Sequence, residues 1–549
     1  MFISRIRVPL VLAGATAAVL CAAAHASSAP CPSPSPTLAD GTPQWRPALH
    51  YAPQRNWMND PNGLVYDGGV YHLFYQYNPH GNFWGDMSWG HATSRDLVHW
   101  DEQPVAMPAN AREEIFSGSI VADARNTSGL GTASAPPLVA LYTSVYKAGS
   151  GHAPGTQAQS LAYSIDHGRT WRPYAHNPVL TLEPESQHFR DPKVSWYAPG
   201  GYWLMSTVVA DAHVVKLYRS SDLIHWDFLS DFTLPDVPHR GALWEMPELL
   251  PMPLDGDARR TKWVMIVNVN PWSIAGGSGA MYFVGSFDGK TFTPDHVAPA
   301  NADPAQYQWL DHGADYYAAG TFANAPGDRP VAIAWMSNWD YADRIPTTPW
   351  KGAMTLPREL ALKTIDGRPR LTFAPARSFD AFARNRPAVR VGSLAVASST
   401  RELGADARGT VQRIALTIEP RSARRAGVVV RRSADGRTGT RIVYDTVART
   451  LSVDRSASGE INFSNAFSKQ HIVALPLVNG ELRLDVIVDR GSIEVFDGDG
   501  QTVVTDLVFP SPADDRIAVF AEGGYATFSD VVVTNLDAKA LAPGTCAKY

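Results

Sequence analysis

The chain has only three cysteines in 549 residues, Cys21, Cys31 and Cys546, and the first lies in an N-terminal run with the marks of a targeting segment. The other two sit close to opposite ends. They are too few and too distant in sequence for a metal site or a catalytic dyad, although in an oxidising compartment Cys31 and Cys546 could form one bond between the termini. No run after residue 26 is long and apolar enough to span a bilayer. No serine nucleophile elbow, phosphate loop, H-E-x-x-H or dinucleotide fingerprint occurs in the context each requires, so neither a cofactor nor a metal is called for. A net charge of -5 argues against a nucleic-acid or anionic-membrane partner. Helical periodicity is almost missing from the first 360 residues, which leaves strands to build them.

What is present begins with Arg5 and Arg7, an apolar stretch from Val8 to Ala24 and an A-x-A site at Ala24-His25-Ala26. This predicts a signal peptide over residues 1–26 and an exported protein, secreted or periplasmic, with a flexible segment at 27–44. Beyond it, the 16 Trp and 20 Tyr point to extensive aromatic surface, and stacking on sugar rings is one use for it. A turn signature recurs: S-x-D or F-D-G followed by an aromatic, closing at Trp100, Trp171, Trp226 and Phe292. That spacing is the scale of a four-stranded antiparallel blade, and residues 308–356 hold the strands for another. The expected fold is therefore all-β, a five-bladed β-propeller over 45–365. A linker with a short helix follows at 366–387, then a β-sandwich at 388–538 made of short alternating strands, and a tail at 539–549. D-G-D-G at Asp497 to Gly500 lies between two alternating strands and reads as a hairpin turn, lacking a calcium loop's ligands.

Chemistry must then come from carboxylates. Three islands place an acid beside aromatic or basic residues and a proline: Asp60 in N-W-M-N-D-P-N-G, Asp191 in H-F-R-D-P-K, and Glu245 in A-L-W-E-M-P-E-L. Each could be structural: an Asx-turn at Asp60, an Arg190 ion pair at Asp191, a solvated strand end at Glu245. In a propeller, however, the entry ends of successive blades converge on the central channel, and cleaving a glycosidic bond calls for one ionised and one protonated carboxyl.

These islands, with F-S-G-S at Phe116 to Ser119 and A-W-M-S-N-W at Ala334 to Trp339, resemble glycoside hydrolase family 32, the β-fructosidases. D-V-I-V-D-R-G-S-I-E-V-F at Asp485 to Phe496 resembles the family's C-terminal sandwich. The resemblance implies Asp60 as nucleophile, Glu245 as acid/base and Asp191 as the residue that binds fructose hydroxyls and stabilises the transition state. Arg190, Asn59, Gln76 and Ser117 would bind substrate, with Trp57, Trp84, Phe116 and Trp335 as pocket walls and Tyr307, Asp311 and Trp350 as weaker candidates. Met246 departs from the family's usual cysteine and is expected to alter the tuning of Glu245, as are the flanking Trp244 and the charge of Asp60. The implied activity is exo-acting removal of terminal β-D-fructofuranosyl units from inulin, levan and sucrose, by retention and without a cofactor. A dedicated invertase, an endo-acting fructanase or a non-catalytic fructan-binding protein are the alternatives. Linkage preference and subunit number depend on loops and surfaces that the sequence does not specify.

Overall fold

The computed structural model describes residues 37–38, 40–234, 241–299 and 302–537, so the expected signal peptide, both Cys31 and Cys546, and the tail lie outside the described residues. Five blades of antiparallel strands form the first part, the fourth and fifth joined into one sheet by a parallel pairing of Leu254 with Leu362. Their inner strands are Asn56–Asp67, Glu113–Ala122, Phe189–Tyr197, Leu243–Leu254 and Tyr317–Thr321. Each inner strand touches the next around a ring and the fifth touches the first, which is the geometry of a closed five-bladed propeller. Closure is reinforced by Trp350–Lys351, from the fifth blade's long connection, which pairs in parallel with Asn56 and Trp57 of the first. The free edges of the inner strands face the central channel, where neighbouring inner strands cover them.

The recurring turn signature has a physical cause. In the first four blades it joins the third strand to the fourth, and its aspartate accepts backbone N–H groups of the turn: Asp96 from Val98 and His99, Asp166 from Thr170, Asp222 from Ile224 and His225, Asp288 from Lys290 and Thr291. The fifth blade lacks the signature because its outer pair, Arg358–Ile365 and Arg368–Pro375, closes on Asp366-Gly367 instead. Arg368–Pro375 falls where a linker was expected. Its alternating residues pair with all of Arg358–Ile365, so the blade continues to Pro375 and the connector is the helix Arg377–Arg384.

The remaining strands make two facing sheets with one core between them, including Val428, Ile442, Val486, Val495, Val519 and Phe528. Side-chain alternation along Leu482–Asp489 sends Leu484, Val486 and Val488 into this core. Ile487 points the other way, into a second core shared with the propeller residues Leu310, Leu360 and Phe373.

Buried charge also crosses this interface. His50 bonds Asp489 through Nδ1 and Glu494 through Nε2, both at 2.8 Å, and Arg358 reaches Asp311 at 2.8 Å and Glu494 at 3.1 Å through Nε, every side chain essentially without solvent. Desolvation alone would discharge His50, but the hydrogen bonds and charges of Asp489 and Glu494 push it up to about 9. Burial would raise the two acids, yet His50 brings Asp489 down to about 2, as Arg358 and His50 do Glu494. A raised histidine stabilises fully below its unfolded value of 6.5 and loses that contribution as pH rises through 9, while the depressed acids lose theirs as pH falls from about 4 through 2. The thermal midpoint is therefore expected to fall between pH 6.5 and 9, with about 3 kcal/mol at stake at His50. His50→Gln should lower the midpoint at pH 6 and flatten that decline. An equally steep alkaline fall in H50Q, followed by calorimetry, would place the titrating group elsewhere.

Candidate active site

All five inner strands carry a break in register at their entry end, and the polar residues of the site sit at or beside these breaks. Pairing skips between Met58 and Pro61, between Phe116 and Gly118, opposite Asp191-Pro192, between Glu245 and Glu248, and between Tyr317 and Gly320. A bulge leaves a residue out of the ladder and re-aims its side chain, here toward the propeller axis. Asp191, Met246 and Ala318 take left-handed backbone with φ of 61°, 49° and 55°, a conformation that costs a non-glycine residue free energy and is held in place by its surroundings. The prolines after Asp60, Asp191 and Met246 fit the same geometry. An inner strand has one unpaired edge facing the channel, where a residue without an N–H is tolerated.

The bulges bring Asp60, Ser117, Arg190, Asp191, Glu245 and Tyr317 into one polar cluster. Asp60 is buried, accepting from Ser117 Oγ at 2.8 Å and Asn59 Nδ2 at 3.1 Å, while Trp57 Nε1 donates to Asn59 Oδ1 at 2.8 Å and fixes the amide's orientation. Asp191 accepts the Met246 N–H at 3.0 Å, and its own N–H donates to Thr143 Oγ1 at 2.9 Å. Glu245 keeps 19% side-chain exposure, with Oε1 accepting from Arg190 Nε and Nη2 at 3.2 and 3.0 Å and Oε2 accepting from the Tyr317 hydroxyl. Arg190 also lies 3.8 Å from Asp191.

Arg190 thus serves two of the three carboxyls, Glu245 and Asp191, in a largely dry site. Desolvation, with the charge of Glu245 added, pushes Asp60 up to about 6 against the bonds from Asn59 and Ser117. Asp191 is pushed up to about 7, first by burial and then by Glu245 and Asp60, with Arg190 opposing. Arg190 is held firmly charged, because the attraction of Glu245 and Asp191 exceeds its own desolvation. Burial and mutual repulsion thus favour a proton on Asp60 and Asp191 more than on free carboxyls.

The expected walls are sorted by the structure into three kinds. Phe116 is partly buried with Trp84 edge-on at 6.0 Å, and Trp84 is half exposed, on the rim. Trp57 and Trp335 are almost fully buried, and Trp339 stacks on Trp57 at 5.9 Å and packs tilted against Trp335 at 5.0 Å. Gln76 ties the first blade to the second by donating to the Ile115 carbonyl at 3.0 Å. Asp311 belongs to the Arg358 and Thr505 network at the domain interface, Trp350 lies beneath Arg46 at 3.7 Å, and Tyr307 packs on Trp272. None of these three contacts the carboxyl cluster.

Two expectations about Glu245 change. Trp244 is its sequence neighbour but not its environment: the strand sends that ring into the core with Phe232 and Phe292, while Glu245 faces Arg190 and Tyr317. Met246 meets the acids through its backbone N–H, which any non-proline residue supplies, and its side chain packs beside Trp57 and Trp335. Sequence reading missed Tyr317 and Thr143. Neither lies in an acid-proline island; only the position of Tyr317 at the entry of the fifth inner strand, in Y-A-A-G-T, marks it.

The model of the glycosyl hydrolases family 32 N-terminal domain matches residues 50–375, and the family's C-terminal model matches 383–535. The extracellular exo-inulinase of Aspergillus ficuum is 41% identical over 516 residues, covering 90% of this chain and 94% of the relative. The levanase of Bacillus subtilis is 40% identical over 485 residues, 87% of this chain and 68% of its own. Among solved structures, the exo-inulinase of Aspergillus awamori superposes with a TM-score of 0.82 at 39% identity, covering 89% of this chain and 97% of that one. The β-fructofuranosidase of Schwanniomyces occidentalis, complexed with fructosyl-erythritol, gives 0.77 at 29%, covering 90% and 98%. With both family domains matched in order and the bulged carboxyl cluster inside the first, this chain belongs to glycoside hydrolase family 32.

Proposed function

We propose that the protein is an exported, exo-acting β-fructosidase that releases terminal non-reducing β-D-fructofuranosyl residues from inulin and levan, and from sucrose. The observation that carries the exo reading is the likeness to exo-inulinases over nearly the whole chain: that of Aspergillus ficuum is 41% identical, and that of Aspergillus awamori superposes with a TM-score of 0.82. The A-x-A pattern at 24–26 and the extracellular relatives support export.

In this reading Asp60, fixed by Ser117 and Asn59, attacks the anomeric carbon while Glu245 protonates the departing oxygen, and a fructosyl ester forms on Asp60. Water, deprotonated by Glu245, then releases fructose with net retention. Asp191 and Arg190 bind ring hydroxyls and stabilise the positive charge that grows on the furanose.

The test is a time course of products from inulin, levan and sucrose. Fructose alone from the earliest points on both polymers is expected. A ladder of oligomers would reassign the enzyme as endo-acting, hydrolysis of sucrose with the polymers untouched would make it an invertase, and binding without products would remove the catalytic reading.

A further inference from the structure

One hydrogen bond on Glu245 comes from a part of the propeller that the sandwich holds in place. The segment 311–315, just before the Tyr317–Thr321 strand, lies along the sandwich strand Val503–Leu507. The N–H groups of His312 and Asp315 donate to the carbonyls of Val503 and Thr505 at 2.8 and 3.1 Å, and the N–H groups of Thr505 and Leu507 return to the carboxylates of Asp311 and Asp315 at 2.9 and 2.8 Å. The two backbones come so close that a Cβ on Gly313 would stand 2.1 Å from the Thr505 carbonyl oxygen, so only glycine fits there.

At the end of this segment stands Arg455 of the sandwich, with no solvent exposure. Its Nη1 pairs with Asp315 Oδ2 at 2.6 Å, its Nη2 donates to the Tyr341 hydroxyl at 2.9 Å, and its Nε donates to the Phe467 carbonyl at 2.8 Å. Tyr341 in turn donates to Asp315 Oδ1 at 2.7 Å, and Asp506, bonded to His471, faces Arg455 at 3.5 Å. Two active-site arms meet at this guanidinium. Asp315 precedes Tyr317, whose hydroxyl is on Glu245. Tyr341 follows Trp335 and Trp339, which pack on Trp57, the indole that orients Asn59 beside Asp60. Asn338 crosses between the arms, donating to the Ala314 carbonyl at 2.8 Å.

We propose that Arg455 is a positioning residue for the fructosidase reaction, clamping Asp315 and Tyr341 so that the Tyr317 hydroxyl stays on Glu245. The inference rests on the reading of Glu245 as the acid/base. A planar fork suits this task because it bonds three acceptors in fixed directions, and lysine, with its donors on a single nitrogen, cannot hold Asp315, Tyr341 and Phe467 together. The groups facing Glu245 are Arg190, Tyr317, Asp60 and Asp191. Loss of the phenol leaves the Glu245 carboxyl with one donor fewer and less firmly oriented toward the oxygen it must protonate. The sandwich thus shares in setting the proton transfer without contributing a group to the pocket.

The experiment uses the full-length chain with Tyr317→Phe, Arg455→Lys and the double variant, assayed on sucrose and on a p-nitrophenyl β-fructofuranoside, whose leaving group departs without a proton. Thermal unfolding is followed in parallel. Tyr317→Phe should lower kcat on sucrose roughly 10- to 100-fold and on the activated fructoside less than about threefold. Arg455→Lys should show the same leaving-group selectivity to a smaller degree, and the double variant should be no slower on sucrose than Tyr317→Phe alone, since both act through one contact. Losses that multiply in the double variant, an Arg455→Lys defect equal on both substrates, or one confined to thermal stability, would overturn the clamp. So would an equal loss on both substrates in Tyr317→Phe. If Arg455→Lys does not fold, Tyr341→Phe, which leaves the Asp315–Arg455 pair intact, is read by the same criteria. A failed clamp beside a leaving-group-selective Glu245→Ala leaves the proposed function standing, whereas an unselective Glu245→Ala removes the acid/base reading itself.

Discussion

Asparagine in place of Asp60 is expected to cut kcat on sucrose and inulin by roughly four orders of magnitude or more while the protein folds and still binds substrate, because an amide cannot form the ester intermediate. The local bonds survive the change. The amide oxygen accepts as the carboxylate did, and the Ser117 hydroxyl, which donates to Asp60 at 2.8 Å, can turn and accept from the new NH2. The same variant carries a stability signature with a definite sign. Asp60 holds its proton to about pH 6 in the folded chain against 3.8 for the free group, so the folded state gains protons before the unfolded state does, and stability falls as pH rises through that window. Keeping Asp60 ionised in its dry site costs about 3 kcal/mol above pH 6. D60N should therefore melt higher than the wild type at pH 7.5 and no higher at pH 3.5. Wild-type turnover by sequence-verified D60N would end the nucleophile assignment, and an equal midpoint at pH 7.5 would show that the site does not hold the carboxylate under electrostatic strain.

The residues that sequence reading could reach are those whose local chemistry is visible along the chain. Asp60, Asp191 and Glu245 stand out because each precedes, directly or by one residue, a proline that only an unpaired strand edge tolerates, and because aromatic or basic residues flank them. The blades were legible through their turn aspartates, which accept N–H groups only a few residues away. Contacts between segments far apart were not legible. Tyr317 reaches Glu245 across 72 positions, and Arg455 meets Asp315 across 140, with nothing local to mark either pair. Strand parity explains the other misses. Trp244 adjoins Glu245 in sequence, but a strand turns adjacent side chains to opposite faces, and the ring that was expected to enclose the acid packs in another core. Asp311 and Trp350 have the residue types of a sugar site, yet their partners are Arg358 and Arg46. Residue type identified chemistry where it was concentrated in one peptide, and it failed where the fold assembled the partners.

Removal of the proposed acid/base separates the two chemical steps. Glu245→Ala should lower kcat on inulin and sucrose by roughly three orders of magnitude, since the leaving alkoxide then departs without a proton. On p-nitrophenyl β-fructofuranoside the fructosylation step needs no such help, and the loss should be far smaller wherever release of fructose from Asp60 does not limit the rate. Alanine also opens space beside the ester, so azide should restore turnover on the activated substrate and give β-fructosyl azide, the configuration being retained because a second inversion follows the first. Arg190 loses its two hydrogen bonds to Glu245 but keeps Gln157 Oε1 at 3.4 Å and Asp191 at 3.8 Å, which limits the cost of an unpaired guanidinium. The pH profile carries an independent sign. The charge of Glu245 is one of the causes that raise Asp60 to about 6, so its removal should shift the acidic limb of kcat/KM on the activated substrate to lower pH. Glu248 is the nearest alternative acid in sequence, but it bonds the N–H and hydroxyl of Thr321 and pairs with Lys193 at 3.2 Å, one layer below the site, and Glu248→Gln should therefore leave the leaving-group dependence unchanged. Equal losses on natural and activated substrates in E245A, with no azide product and the acidic limb unmoved, would take Glu245 out of the mechanism.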